Sequence, residues 1–196
     1  MLRIAIIIGS TRPNRKSEQV ARWVQEVASR RKDAKYELVD LRDYDLPLFD
    51  EPNPPSRNQY TKLHTKIWSE KIASYDAFIF VTPEYNHGIP AVLKNAIDYL
   101  YYEWHDKAAG FVSYGSAGGA RAVEQLRLVM GEVHVADVRP QVLLYNATDF
   151  ENYTTFKPAE KHELMLNTML DKLLAWGTAF QGMRKKQMVP AMIGKN

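Results

Sequence analysis

The chain has 196 residues, 45% of them hydrophobic and 25% charged, with a formal net charge of +3, a length most economically read as one domain that buries a sizeable core. It contains no cysteine, which excludes disulfides, thiolate metal sites, iron–sulfur clusters and cysteine nucleophiles. No apolar run approaches the roughly 20 residues that span a bilayer, and no basic stripe is interleaved with aromatics, so neither a membrane nor a nucleic acid is expected as partner and a cytoplasmic location follows.

Arg3 to Ile8 is a short isoleucine-rich run that suits a central parallel strand buried on both faces. Gly9 ends it. Ser10, Thr11, Arg12, Asn14, Arg15 and Ser17 then crowd hydroxyls, an amide and two guanidinium groups into the turn before a helix. Free N–H groups and the positive dipole end at a helix start attract an anion, and such side chains complete its coordination. An ordinary polar connection is the competing reading. Neither G-x-x-x-x-G-K-[ST] nor G-x-G-x-x-G is present, so a monophosphate is favoured over a triphosphate or pyrophosphate.

Val20, Trp23, Val24, Val27 and Ala28 recur at helical spacing and predict a helix over about Ser17 to Arg31. Glu37 to Leu41 reads as a second strand. Pro47, Pro52, Pro54 and Pro55 forbid regular structure in the middle of 43–58, a loop length usually tied to function or partner contact. A helix through Tyr60, Leu63, Ile67, Trp68 and Ile72 follows, then a buried strand from Ala77 to Val81. Pro90 opens a helix carrying Val92 to Tyr101. Ala108 to Tyr114 is a fourth strand, succeeded by a glycine-rich turn and a helix bearing Val123, Leu126 and Met130. Gln141 to Tyr145 makes a fifth strand, and a last helix covers roughly Pro158 to Lys186. The basic clusters Arg30-Arg31-Lys32 and Arg184-Lys185-Lys186 then fall at helix C-termini.

Strands alternating with helices imply an α/β fold with a parallel sheet covered on both faces, whose ligands bind beyond the carboxyl ends of the strands. Three loops, 9–17, 82–90 and 114–119, all follow strands and converge on that edge. The second holds no nucleophile with its base. The third has three glycines in five positions, letting main-chain amides approach a flat ligand. Together they suit a planar heteroaromatic with a phosphate tail, while three ordinary turns is the bland alternative.

Gly9-Ser10-Thr11-Arg12 with Ser17, the block Pro83-Glu84-Tyr85-Asn86 followed by Gly88-Ile89-Pro90 and Leu93 to Asp98, the turn Tyr114-Gly115-Ser116-Ala117-Gly118-Gly119, and Leu46-Pro47-Leu48-Phe49 resemble the NADPH-dependent FMN reductases of flavodoxin-like fold. The resemblance reaches to about Leu144. It implies a single flavodoxin-like domain over 1–196, with a five-stranded parallel sheet in the order 2-1-3-4-5. It also implies bound FMN as cofactor and NADPH or NADH as co-substrate. Ser10, Thr11, Arg12, Ser17 and Gln19 would hold the phosphate, with Gln19 preferred over Glu18 because a carboxylate is repelled by a dianion. Pro83, Glu84, Tyr85 and Asn86 would lie along the isoalloxazine edge, with an N–H of Tyr85 or Asn86 near N5 and O4. Tyr114, Gly115, Ser116, Gly118 and Gly119 would form the third flavin loop, with N–H groups of Gly115 and Ser116 toward N1 and O2.

By this resemblance the flavin carries the chemistry and no side chain is catalytic. The cycle is ping-pong, with a quinone, azo compound or free flavin as small-molecule acceptor. Arg12 and Arg15 are candidates for the phosphates of the nicotinamide nucleotide, His87 for a gating role, and no histidine has metal-ligand spacing. Tyr99, Tyr101, Tyr102 and Trp104 crowd the end of one helix, and the family's assembly implies a homodimer or homotetramer through it. Two other readings stay open: a flavodoxin-type electron carrier, against which the mild positive charge counts, and a cofactor-free protein on the same fold.

Overall fold

A computed structural model describes residues 1–193, with side chains described through residue 186. The chain runs β1 (Leu2–Ile8), α1 (Ser17–Ser29), β2 (Ala34–Asp40), α2 (Leu63–Ala73), β3 (Ala77–Pro83), α3 (Ala91–Asp98), β4 (Lys107–Gly115), α4 (Ala120–Glu132), β5 (Val135–Tyr145), a two-strand ribbon of β6 (Phe150–Glu151) and β7 (Thr155–Phe156), and α5 (Glu160–Ile193). The five long strands form a parallel sheet in the order β2-β1-β3-β4-β5. That is the expected flavodoxin-like order, and it sets the carboxyl ends of β1 and β3 side by side, with Ile8 opposite Val81.

Alternation along β1 divides the core between two layers. Ile4, Ile6 and Ile8 point to the face covered by α1 and α5, where Val20, Val24, Leu166, Met169 and Leu173 are buried. Ala5 and Ile7 point to the face covered by α2, α3 and α4, where Trp68, Phe78, Phe80, Trp104, Phe111 and Leu126 pack. Every residue of β3 and β4 is buried, so these central strands read as continuous apolar runs, as parallel strands do.

Four expectations are revised. β5 begins at Val135 rather than Gln141: Arg139-Pro140 hides its first half, and the ladder absorbs the proline through a register shift between Ala109 and Phe111. Arg127 from α4 spans this irregularity, donating to Val138 O at 3.0 Å and Arg139 O at 3.2 Å. α3 ends at Asp98, before Leu100 and Tyr101. α5 continues past Arg184-Lys185-Lys186 to Ile193, so that cluster does not mark a helix end. The ribbon at 150–156 was not expected, because two-residue strands leave no periodic signal.

The long connection between β2 and α2 is irregular apart from short 3-10 turns at Leu41–Tyr44 and Pro55–Arg57. It is nonetheless fixed. Asn95 Nδ2 donates to Pro47 O at 2.6 Å while its Oδ1 accepts from Phe49 N–H at 3.0 Å. The buried carboxylate of Glu51 accepts from the N–H groups of Thr61 and Lys62, both at 2.9 Å, and from the Thr61 hydroxyl at 2.7 Å. Burial alone would raise its pKa, but these donors outweigh it and hold the group at about 2.

Candidate functional site

The loop after β1 is held open by arginines. Gly9 N–H bonds Val81 O at 2.9 Å, and a Cβ on Gly9 would lie 2.9 Å from that same oxygen, so glycine lets the turn leave the sheet between β1 and β3. Arg15 is buried; its guanidinium donates to Ser10 O at 2.8 Å and pairs with both Asp40 carboxylate oxygens. It therefore braces the loop, while still lining the cleft described below. Arg12 is exposed.

α1 starts with no side-chain cap on its first turn. The Ser17 hydroxyl there is buried beside the Tyr114 phenol and meets no partner at full hydrogen-bond geometry among the described residues. A hydroxyl so placed, at the start of a helix with free N–H groups, can turn to donate to an anion there. Lys16 completes the cationic surround. Its ammonium donates to Asn146 Oδ1 at 3.0 Å and lies 4.5 Å from the Phe150 ring centroid, and burial, then the charge of Arg12, lowers its pKa. Gln19 faces elsewhere. Its Nε2 donates to Thr154 O at 3.1 Å and its Oε1 accepts from Phe156 N–H at 2.9 Å. The amide clips the ribbon onto α1, and the expected phosphate contact of Gln19 is corrected on that ground.

The second loop makes a two-residue turn. Tyr85 N–H donates to Gly88 O at 2.9 Å and Gly88 N–H to Tyr85 O at 3.0 Å, which drives Asn86 and His87 to φ of 48° and 74°. Tyr85 N–H is thereby spent. Asn86 and His87, at the tip of the turn, present their backbone N–H groups outside that pair of hydrogen bonds. α4 fixes the loop at two points, through Gln125 Nε2 to His87 O at 2.8 Å and an ion pair between Arg121 and Glu84. The Glu84 carboxylate also accepts from Arg121 N–H at 3.2 Å, capping a helix that begins at Gly119 with no cap of its own. Burial would raise the Glu84 pKa, but Arg121 outweighs it and holds it low. The side chain of Glu84 thus joins loops two and three, leaving only its backbone along the cleft.

In the third loop Gly118 and Gly119 have φ of 67° and 75°. Ser113 Oγ donates to Gly118 O at 2.8 Å, and Gly118 N–H to Gly115 O at 3.2 Å. A Cβ on Gly115 would come within 3.3 Å of Glu84 Cβ. Tyr114 is buried beneath the turn, and burial pushes its phenol pKa up.

Arg12, Lys16, Pro83, Tyr85, Tyr114 and Gly115 line one cleft of about 170 Å³ at the carboxyl ends of β1, β3 and β4. Tyr85 closes across it, its hydroxyl 2.9 Å from Ser10 Oγ. The three expected loops therefore converge. Asn146 joins them from the end of β5, with its N–H on Gly115 O at 3.1 Å. Neither Asn146 nor Lys16 is singled out by the sequence, although Lys16 stands in the first loop directly before Ser17. The residues suit a phosphorylated planar ligand: an uncapped helix start and two cations from the first loop, with the backbone of the second loop and the glycine turn facing them.

Among the described residues no helix is long and apolar enough to cross a membrane. Residues 2–149 match the family described as NADPH-dependent FMN reductase. An NAD(P)H-dependent FMN reductase of Schizosaccharomyces pombe is 45% identical over 146 residues, covering 72% of this chain and 73% of its own. A quinone reductase of Pseudomonas putida is 31% identical over 182 residues, covering 88% and 93%. Among solved structures, the flavoenzyme NAD(P)H:(acceptor) oxidoreductase FerB from Paracoccus denitrificans superposes with a TM-score of 0.72 at 20% identity over 92% of this chain and 99% of its own, a likeness of fold. The chain belongs to the NADPH-dependent FMN reductases, a family of oxidoreductases that use FMN and NAD(P)H.

Proposed function

We propose that this chain passes reducing equivalents from NADPH or NADH through bound FMN to a quinone, azo compound, free flavin or similar small acceptor, in ping-pong order. The observation that carries the reading is the convergence of the three loops on one cleft lined by Arg12, Lys16, Tyr85, Tyr114 and Gly115, beside the uncapped start of α1. Ser17, Ser10, Thr11, Arg12 and Lys16 bind the phosphate, where the helix start contributes about 0.3–2 kcal/mol. Asn86 N–H and Ser116 N–H donate to the ring, Pro83 and Tyr85 flank it, and Gly115, Gly118 and Gly119 keep side chains out of its plane. When bound, FMN supplies the hydride chemistry. The protein's part is to bind, orient and place fixed donors where charge gathers on reduction, which accelerates without a titrating side chain.

Steady-state NAD(P)H oxidation by purified protein with a quinone tests this. Parallel double-reciprocal lines support ping-pong exchange between two substrates that share one cleft, and intersecting lines contradict it. A flavodoxin-type carrier would show almost no turnover alone. Self-association belongs to the same proposal, but its basis shifts. Tyr99 and Trp104 are fully buried within the chain, leaving Tyr102 exposed together with Leu48, Leu63 and Ile67. Light scattering giving a dimer or tetramer mass supports assembly through that apolar surface, and a monomer mass removes it. A cytoplasmic location is proposed with it.

A further inference from the structure

The carbonyls of the first loop are all turned one way. Ser10 O accepts from Arg15 at 2.8 Å, Thr11 O from Arg42 Nε and Nη2 at 3.2 and 3.1 Å, and Arg12 O from Arg42 Nη2 at 2.8 Å. Because a trans peptide is planar, the C=O of one residue and the N–H of the next point in opposite directions. The N–H groups of Thr11 and Arg12 are therefore directed away from the two guanidinium groups, and Arg12 N–H indeed faces Ser10 Oγ at 3.4 Å. Both arginines are referred to one carboxylate. Asp40 pairs with Arg15 and accepts the Arg42 backbone N–H at 3.0 Å. Asp40 is the last residue of β2, in register with Ile8 of β1, so the clamp is anchored on the sheet.

We infer that Arg42, through Asp40 and Arg15, is a positioning residue that sets the first loop for an anion before any ligand arrives. The inference rests on the reading that this loop grips the FMN phosphate, and it adds where the grip's preorganisation comes from. Without Arg42 the carbonyls of Thr11 and Arg12 lose their charged donors. The Thr11–Arg12 peptide is then free to rotate, and its carbonyl turned into the cleft would repel the phosphate where the Arg12 N–H would have met it; the Arg12–Pro13 peptide has no N–H to offer, and its carbonyl could only repel. Arg42 does not touch the phosphate itself; its planar fork reaches both oxygens from separate nitrogens in one fixed geometry, where a lysine ammonium would have to reach them from a single point.

The test is the binding of FMN and of riboflavin, which lacks the phosphate, to flavin-free protein, followed by quenching of flavin fluorescence. Arg42→Gln is expected to weaken FMN about ten-fold, the low end for a single lost hydrogen bond to a charged group because the effect reaches the phosphate only through the loop, and to leave riboflavin within about two-fold. Arg42→Lys keeps the charge and is expected to recover less than half of the loss on a logarithmic scale. Equal loss for both flavins, no loss for FMN, or full recovery with lysine overturns the inference: the first makes Arg42 merely structural and the last makes it only a distant charge. Wild-type protein that binds riboflavin as tightly as FMN overturns the phosphate reading itself, a result separate from any behaviour of the variants.

Discussion

Gly119 is where the third loop turns into α4, and replacing it with alanine perturbs the fold and the cleft together. Its φ of 75° lies in the left-handed region, where a Cβ costs about 1–2 kcal/mol. The new methyl would also stand 2.6 Å from Ser113 Cβ and 2.9 Å from Tyr114 N. Both neighbours belong to fully buried β4, so neither can move aside without disturbing the sheet. Overpacking of this kind adds about 1–3 kcal/mol, for a total of about 2–5 kcal/mol. At roughly 2–4 °C per kcal/mol for a chain of this size, Gly119→Ala is expected to lower Tm by about 4–20 °C in a thermal melt followed by circular dichroism. The displaced Gly118–Gly119 turn should also weaken flavin binding. A Tm within about 2 °C of wild type would refute the claim that this turn is sterically determined.

Ser17→Ala is expected to separate stability from binding: removing a buried hydroxyl that meets no partner at full hydrogen-bond geometry leaves the flavin-free Tm unchanged or slightly raised, while FMN affinity falls about 5- to 30-fold, the equivalent of 1–2 kcal/mol. Equilibrium unfolding and FMN titration of the same variant read both signs. Glu51 has a folded pKa of about 2 against an ordinary 4.5, so its contribution is complete above about pH 4.5 and is lost as pH falls toward 2. Glu51→Gln should therefore destabilise by up to about 3 kcal/mol at neutral pH and flatten that part of the acid limb in urea melts taken across pH. Trp104 is fully buried beside Phe78, at 4.9 Å between ring centroids, and donates to Ile97 O at 3.1 Å; Trp104→Ala should cost about 3–5 kcal/mol in denaturant unfolding.

Much of this architecture is legible before any coordinates, because the central strands are apolar on both faces and the helices between them are punctuated by glycine and proline. The first loop, the Pro83–Pro90 block and the glycine turn after Tyr114 announce themselves in the same way. What stays hidden is which partner each polar side chain takes. Gln19 lies one turn into α1, close enough to the phosphate loop to suggest a ligand, yet it meets a ribbon 135 and 137 residues away in sequence. Arg15 looks like an anion contact, and nothing local shows that Asp40, at the end of the neighbouring strand, pairs with it. Glu84 sits in the most distinctive block of the chain but turns to the start of α4. Each of these depends on a contact between elements that no local pattern encodes. The late start predicted for β5 has a different origin: proline argues against a strand everywhere except at a sheet edge, where β5 lies.

Reconstitution followed by reduction tests the central claim most directly. Flavin-free protein would be mixed with FMN, cleared of excess by gel filtration, and titrated anaerobically with NADPH, then with NADH, before one addition of quinone. The account predicts FMN retained at one per chain, its visible absorption bleached by one equivalent of reduced nucleotide and restored by one equivalent of quinone. FMN lost on the column, or retained but left unbleached by both nucleotides, would contradict it.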